Sequence, residues 1–177
     1  MKLNEFQELS KRTMPYNGAP ANQAEYENML GNYALGLVGE SIELLEVLKK
    51  KGEDYSDVIK EMGDVSHYAI GVAALTNLDL NFNMHYVYGD VEDCMDDLLY
   101  AAKNVSEAAK KIIYHRHDPI NVSDDLIKIF DVLYTLGQIV ADDYSEVLQT
   151  NLDKLKTRYP EKFNTADSIN RVDVASE

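Results

Sequence analysis

The feature that most constrains this chain is a helical stretch, residues 22–51, that is apolar on almost every side yet carries two glutamates in its middle. Gly36, Glu40, Glu43 and Val47 form one stripe, flanked by Leu37, Leu44 and Leu48, while Leu35, Val38, Ile42 and Leu45 occupy the other side. A helix hydrophobic all round is expected to be covered on both sides, so Glu40 and Glu43 should not simply point into bulk water. The segment must therefore sit inside a helical assembly that has a use for carboxylates.

A second helical pattern follows at once over 55–77. The lysines Lys49 to Lys51 suit the negative end of a helix macrodipole and Gly52 suits the residue after it, so the first helix should stop there. Ser56 is the expected cap of the next. So short a connection makes the two an antiparallel hairpin, about 30–77. Apolar spacing predicts further helices at 2–13, 90–116, 123–142 and 144–158, separated by turn signals at Tyr16 to Pro20, Asn77 to Asn83 and His117 to Asn121. The fold class is all-α, a helical bundle, and 177 residues suit one domain, 1–177.

Glu40 with Glu43, and Glu61 with Asp64, are two i, i+3 pairs, each projecting from one side of its helix. On the two arms of a hairpin they can converge, and Asp57 and Tyr68 extend the stripe of the second arm. Four carboxylates in partial burial repel one another and lose hydration, a cost relieved by protonation or by a bound cation. Oxygen ligands without His or Cys nearby suit a hard divalent ion, Mg²⁺ or Mn²⁺, and such an ion bridges phosphate oxygens and activates water.

A formal charge of −14 excludes non-specific nucleic-acid binding, and any phosphate ligand needs bound cations or a few placed Lys and Arg residues. The single cysteine, Cys94, rules out an internal disulfide and a Cys-based zinc cage, and the compartment reads as cytoplasmic. No apolar run reaches the roughly 18 residues of a membrane span, and Met1 to Met14 mixes charged with apolar residues unlike a signal peptide.

The stretch Leu35-Gly-Leu-Val-Gly-Glu-Ser-Ile-Glu43, followed by Lys60-Glu-Met-Gly-Asp-Val65 and Tyr68, resembles the MazG-like group of all-α nucleoside triphosphate pyrophosphohydrolases, whose signature is ExxE, a spacer, then ExxD. Met1 to Thr13 and the late run Asn151 to Pro160 with Phe163 also look like that family's ends. The resemblance implies a bundle of the all-α NTP pyrophosphatase type and hydrolysis of a nucleoside triphosphate between its α and β phosphates, to a monophosphate and pyrophosphate. It places Mg²⁺ on Glu40, Glu43, Glu61 and Asp64, and assigns Asn151, Lys154 and Arg158, on one face of the closing helix, to the substrate. Two departures stand out: His67 precedes Tyr68 where many relatives have Trp, and a second hairpin, about 90–142, intervenes where short relatives run directly to the final helix. The oligomeric state stays open, a homo-oligomer included.

That second hairpin reads as a degenerate repeat of the first at an offset of 67. Tyr33, Val38, Glu40, Ser56, Asp64 and Ala74 reappear as Tyr100, Val105, Glu107, Ser123, Asp131 and Ala141, with Ser123 as the matching cap. Glu43 and Glu61 become Lys110 and Lys128, so each remaining acid gains a lysine three residues away and the copy can neutralise itself without metal. Rival readings are weaker. His117-Asp118 evokes an HD-type phosphohydrolase, but no upstream His and downstream Asp complete it. Asp64 with His67 imitates a ferritin-like di-iron ligand pair, but Tyr134 stands where the second half needs His. A non-catalytic acidic helical protein binding a cation or a partner is the alternative of a different class. No residue outside the motifs identifies a preferred base or sugar.

Overall fold

A computed structural model describes residues 1–50, 54–87 and 89–170. Among these residues the chain is all-helical. Seven α-helices run in the order α1 (Leu3–Ser10), α2 (Gln23–Lys49), α3 (Ser56–Leu75), α4 (Val91–His115), α5 (Ser123–Val140), α6 (Tyr144–Arg158) and α7 (Thr165–Asn170). Among the described residues no helix is long and apolar enough to cross a membrane.

The four long helices form a bundle in which α2 packs against α3 and α4, and α5 against the same two. Such a ring is what two hairpins, α2–α3 and α4–α5, produce when laid side by side. Helix α6 lies against α3 and α5, and α1 against α3 and α6. The core is continuous through these helices: Leu37, Leu44, Met62, Ile70, Leu98 and Phe130 are fully buried. Burial on α2 recurs at Leu30, Tyr33, Ala34, Leu37, Ser41 and Leu44, the three-and-four spacing of one helix face. Ser41 is buried without cost because its hydroxyl donates to the Leu37 carbonyl, 2.7 Å away.

The outer side of α2 departs from the sequence expectation. Leu35 is 70% exposed and Ile42 44% exposed, so the helix is covered on one side only. Neighbours on α3 and α4 bury its inner face, and no described segment crosses the other.

Helix ends also refine the reading. The cap expected of Ser56 is made instead by Asp54, whose carboxylate accepts the Ser56 N–H at 2.8 Å. Likewise Asn121, not Ser123, caps α5, its side chain accepting the Ser123 N–H at 2.9 Å. Each serine is the first helical residue, and its own hydroxyl makes no capping bond. Asp54 and Asn121 stand 67 residues apart. Gly52 and Lys51 lie outside the described residues. Helix α2 is capped by Asn22, which accepts the Glu25 N–H, and α4 by a reciprocal Asp90–Asp93 box.

The first predicted helix, 2–13, ends as an α-helix at Ser10 and continues as 3₁₀ turns over Lys11–Thr13 and Pro15–Gly18. Tyr16 and Asn17 take left-handed conformations there, φ 53° and 52°, which turns the chain back toward the bundle. This segment is clasped by the other end of the molecule. The Arg12 guanidinium donates to the carbonyls of Tyr159 and Pro160 at 2.9 and 3.1 Å, and the Phe163 N–H donates to the Arg12 carbonyl at 2.9 Å.

Candidate metal and phosphate site

Two glycines bring α2 and α3 into unusually close contact. A Cβ on Gly36 would stand 2.1 Å from the Tyr68 ring, and one on Gly71 would stand 2.2 Å from the Tyr33 ring. Each aromatic thus lies over a glycine of the opposite arm, and any larger residue at either position would push the arms apart. At this separation the two stripes of acids face each other across the hairpin.

Carboxylate oxygens of Glu40, Glu43 and Glu61 fall within 4.8 Å of one another. Glu40 and Glu61 are partly buried and Glu43 is exposed. Burial and the neighbouring carboxylates of Asp64, Glu43 and Glu61 push the Glu40 carboxyl up to about 7. Burial, then Asp64 and Glu43, also raise Glu61. The cluster is therefore short of positive charge, a need that a proton or a cation can meet.

Asp64 is held differently. Its side chain accepts a 2.8 Å hydrogen bond from Asn151 Nδ2 and an ion pair from Lys154. Gly63 makes this contact feasible, since a Cβ there would lie 2.7 Å from the Asn151 Cβ. Helix α6 thus presses directly on the second acid pair. It is steadied from its first turn by the buried Tyr144 hydroxyl, 2.7 Å from Ser66 Oγ. Among the described residues, Asp64 is the one acid of the expected four in a salt bridge, and the tight three-acid group forms without it.

All four acids line one cleft of about 450 Å³, together with Lys154 and Arg158 of α6. Asn151 stands behind it, 1% exposed, orienting Asp64. An oxygen-only donor set with a deficit of positive charge fits a hard divalent cation, which Glu40, Glu43 and Glu61 could hold with Asp64 beside them. Cationic side chains on the facing wall fit an anion in the same cleft.

Beyond the acids the cleft becomes aromatic. Tyr33, His67 and Tyr68 meet edge to face, with ring centroids 5.5 to 6.0 Å apart, and Tyr159 and Phe163 line the facing side with centroids 5.4 Å apart. Sequence reasoning left Tyr33 and Tyr159 out of the site. They come from two segments that only the fold joins, and the one local sign was a tyrosine seven residues before Glu40.

Among the described residues, the corresponding positions of the second hairpin gather no such group of carboxylates. Glu107 pairs with Lys110 at 2.6 Å, as expected from their spacing. Asp131 does not pair with Lys128, which reaches Asp97 at 2.9 Å instead. The backbone N–H of His85 donates to Asp131 at 2.7 Å, and that of Val87 donates to Thr135 at 2.8 Å. The connection between α3 and α4 therefore covers α5 where α6 covers α3. His117 and Asp118 sit in the α4–α5 connection and line a separate groove with Ile112 and Leu75. Compared with protein-family models, curated proteins and solved structures, the chain finds no match.

Proposed function

We propose that this protein is a Mg²⁺-dependent nucleoside triphosphate pyrophosphohydrolase of the MazG-like kind. The observation that carries the reading is the pairing, within one cleft, of three converged carboxylates on the α2–α3 hairpin with Lys154 and Arg158 on α6. A cation-binding surface needs only the acids, whereas a triphosphate held through a metal also needs cationic side chains for its outer phosphates. The ExxE and ExxD resemblance supports the same chemistry.

Mg²⁺, or Mn²⁺ in its place, would supply charge neutralisation at the phosphates and a lowered pKa for the attacking water. Glu40, Glu43 and Glu61 would hold it, with Asp64 completing the acidic wall. Lys154 and Arg158 bind phosphate oxygens and offset the charge that gathers on the departing pyrophosphate. Asn151 keeps Asp64 in place through its amide. Water attacks the α phosphorus, the bond from that phosphorus to the bridging oxygen breaks, and the bridging oxygen leaves with the electron pair as part of pyrophosphate. The proton released by the attacking water would pass to a carboxylate of the cluster that the cation leaves uncoordinated.

Incubation of the protein with a nucleoside triphosphate and Mg²⁺ tests this: monophosphate and pyrophosphate should appear in equal amounts and should stop on chelation. Release of orthophosphate alone, or no release with any triphosphate, would contradict it. In the second case the acidic helical cation-binding protein is the reading that stands.

A further inference from the structure

Among the described residues, the Tyr33 hydroxyl, His67 Nδ1 and Asn151 Oδ1 are buried near the cleft without a hydrogen-bond partner. An orphaned buried polar group costs about 1–3 kcal/mol, so a stable chain rarely keeps several together unless something else satisfies them. Asn151 is accounted for in part by its bond to Asp64. Tyr33 and His67 are not used by the proposed chemistry at all. Both line the cleft at its aromatic end, and Tyr33 is 1% exposed.

Their place along the hairpin says what kind of group they face. Tyr33 precedes Glu40 by seven residues on α2, which is two turns or about 10 Å at the rise of a helix. A nucleotide whose phosphates lie at the carboxylates has its sugar over that interval and its base beyond it. The walls at that point are ring faces and edges of Tyr68, His67, Tyr159 and Phe163, surfaces suited to a flat heterocycle. Burial raises the Tyr33 phenol above its ordinary range, with smaller contributions from Tyr68 and Tyr159, so the hydroxyl keeps its proton and is available as a donor.

We propose that the aromatic end of the cleft is a base-selecting recess, in which the Tyr33 hydroxyl donates a hydrogen bond to a ring-edge acceptor of the substrate base and His67 Nδ1 reads the adjacent position. This rests on the nucleotide reading of the same cleft but adds a specificity-determining residue to it. A triphosphate alone fills the acidic and basic end. The base adds affinity only through the recess, and bases that present no acceptor to Tyr33 leave its hydroxyl unpaired and bind less well.

Binding of nucleoside α,β-methylene triphosphates with four different bases, and of inorganic tripolyphosphate, measured calorimetrically with Mg²⁺ on the intact protein and on Tyr33→Phe, tests the recess. One base should bind at least tenfold more tightly than tripolyphosphate. Tyr33→Phe should weaken that base by about three- to tenfold, the worth of a neutral hydrogen bond, and leave tripolyphosphate unchanged. Its melting temperature should equal or exceed that of the parent, because the hydroxyl has no partner in the protein. Unchanged base ranking in Tyr33→Phe, equal loss for tripolyphosphate, or no nucleotide that outbinds tripolyphosphate overturns the proposal. So does a fall of several degrees in melting temperature with binding intact, which assigns the hydroxyl to the fold. Pyrophosphate release decides the hydrolase reading separately: release without base preference leaves that reading standing and removes the recess, while Tyr33-dependent binding without release does the reverse.

Discussion

In the metal-free protein, Glu40→Gln should stabilise the fold at pH 8 and do little at pH 5. The sign follows from the direction of the shift. Glu40 titrates near its ordinary 4.5 in the unfolded chain and at about 7 in the folded one, so the folded state binds the proton more tightly. Below pH 4.5 the group is protonated in both states and contributes nothing. As pH rises from 4.5 to 7 the unfolded chain ionises first, and the fold loses stability until the loss levels off above pH 7. At 1.36 kcal/mol per pH unit the full difference is about 3 kcal/mol, and solvent screening of a partly buried carboxylate reduces it to about 1–2 kcal/mol. For a chain of 177 residues this is a rise in melting temperature of about 2–8 °C at pH 8. Thermal unfolding in chelator at pH 5 and pH 8 reads it directly. Added Mg²⁺ should then reverse the order, raising the parent's melting temperature and leaving the variant's unmoved. A variant less stable than the parent at pH 8 without metal, or an equal difference at both pH values, would show that Glu40 is not repelled by its neighbours and refute the reasoning.

Three further outcomes follow from the geometry. Lys154→Ala removes the partner of Asp64 and one cation from the phosphate wall, so kcat/KM for a triphosphate should fall at least tenfold with the fold retained, and unchanged kinetics would place Lys154 outside the site. Gly63→Ala inserts a methyl 2.7 Å from the Asn151 Cβ, which should cost about 1–3 kcal/mol on denaturant unfolding and lower activity by shifting α6; a neutral effect would mean that α6 gives way freely. Burial holds the His67 imidazole down to about 4, so the folded state keeps it neutral while the unfolded chain protonates near 6.5. Stability carried by that difference is lost as pH falls from 6.5 toward 4, and His67→Gln should flatten the fall in melting temperature over this window, an unaltered slope counting against it.

The helices were legible because each long one buries a face at regular spacing over four or more turns. Helix α7 was not, since six residues, Thr165–Asn170, span fewer than two turns and bury none of their side chains. The uncovered flank of α2 was misjudged for a physical reason: Leu35 and Ile42 have the same hydrophobicity as their buried neighbours, and only the position of α3 and α4 decides which side is enclosed. Ser56 and Ser123 were taken as caps because serine suits that role, yet each is itself the donor, its N–H going to Asp54 or Asn121 two residues earlier. At the site, paired acids at helical spacing announced themselves, while Asn151, Lys154 and Arg158 were assigned by the resemblance, with which their common face agrees. That Asp64 would be bound to Lys154 and Asn151, rather than joining the three glutamates on equal terms, depends on how closely α6 approaches Gly63. The aromatic recess was unreadable because Tyr33, His67 and Tyr159 acquire their meaning only when α2, α3 and the segment after α6 are brought together.

The central claim is that the acids of the α2–α3 hairpin serve triphosphate hydrolysis, and pyrophosphate release by the parent protein and by Glu61→Gln, across a panel of nucleoside triphosphates with and without Mg²⁺, tests it most directly. The parent should release pyrophosphate and monophosphate only with the metal, and Glu61→Gln should lose at least a hundredfold with its melting temperature preserved. Full activity in Glu61→Gln, or metal-independent release by the parent, would contradict it.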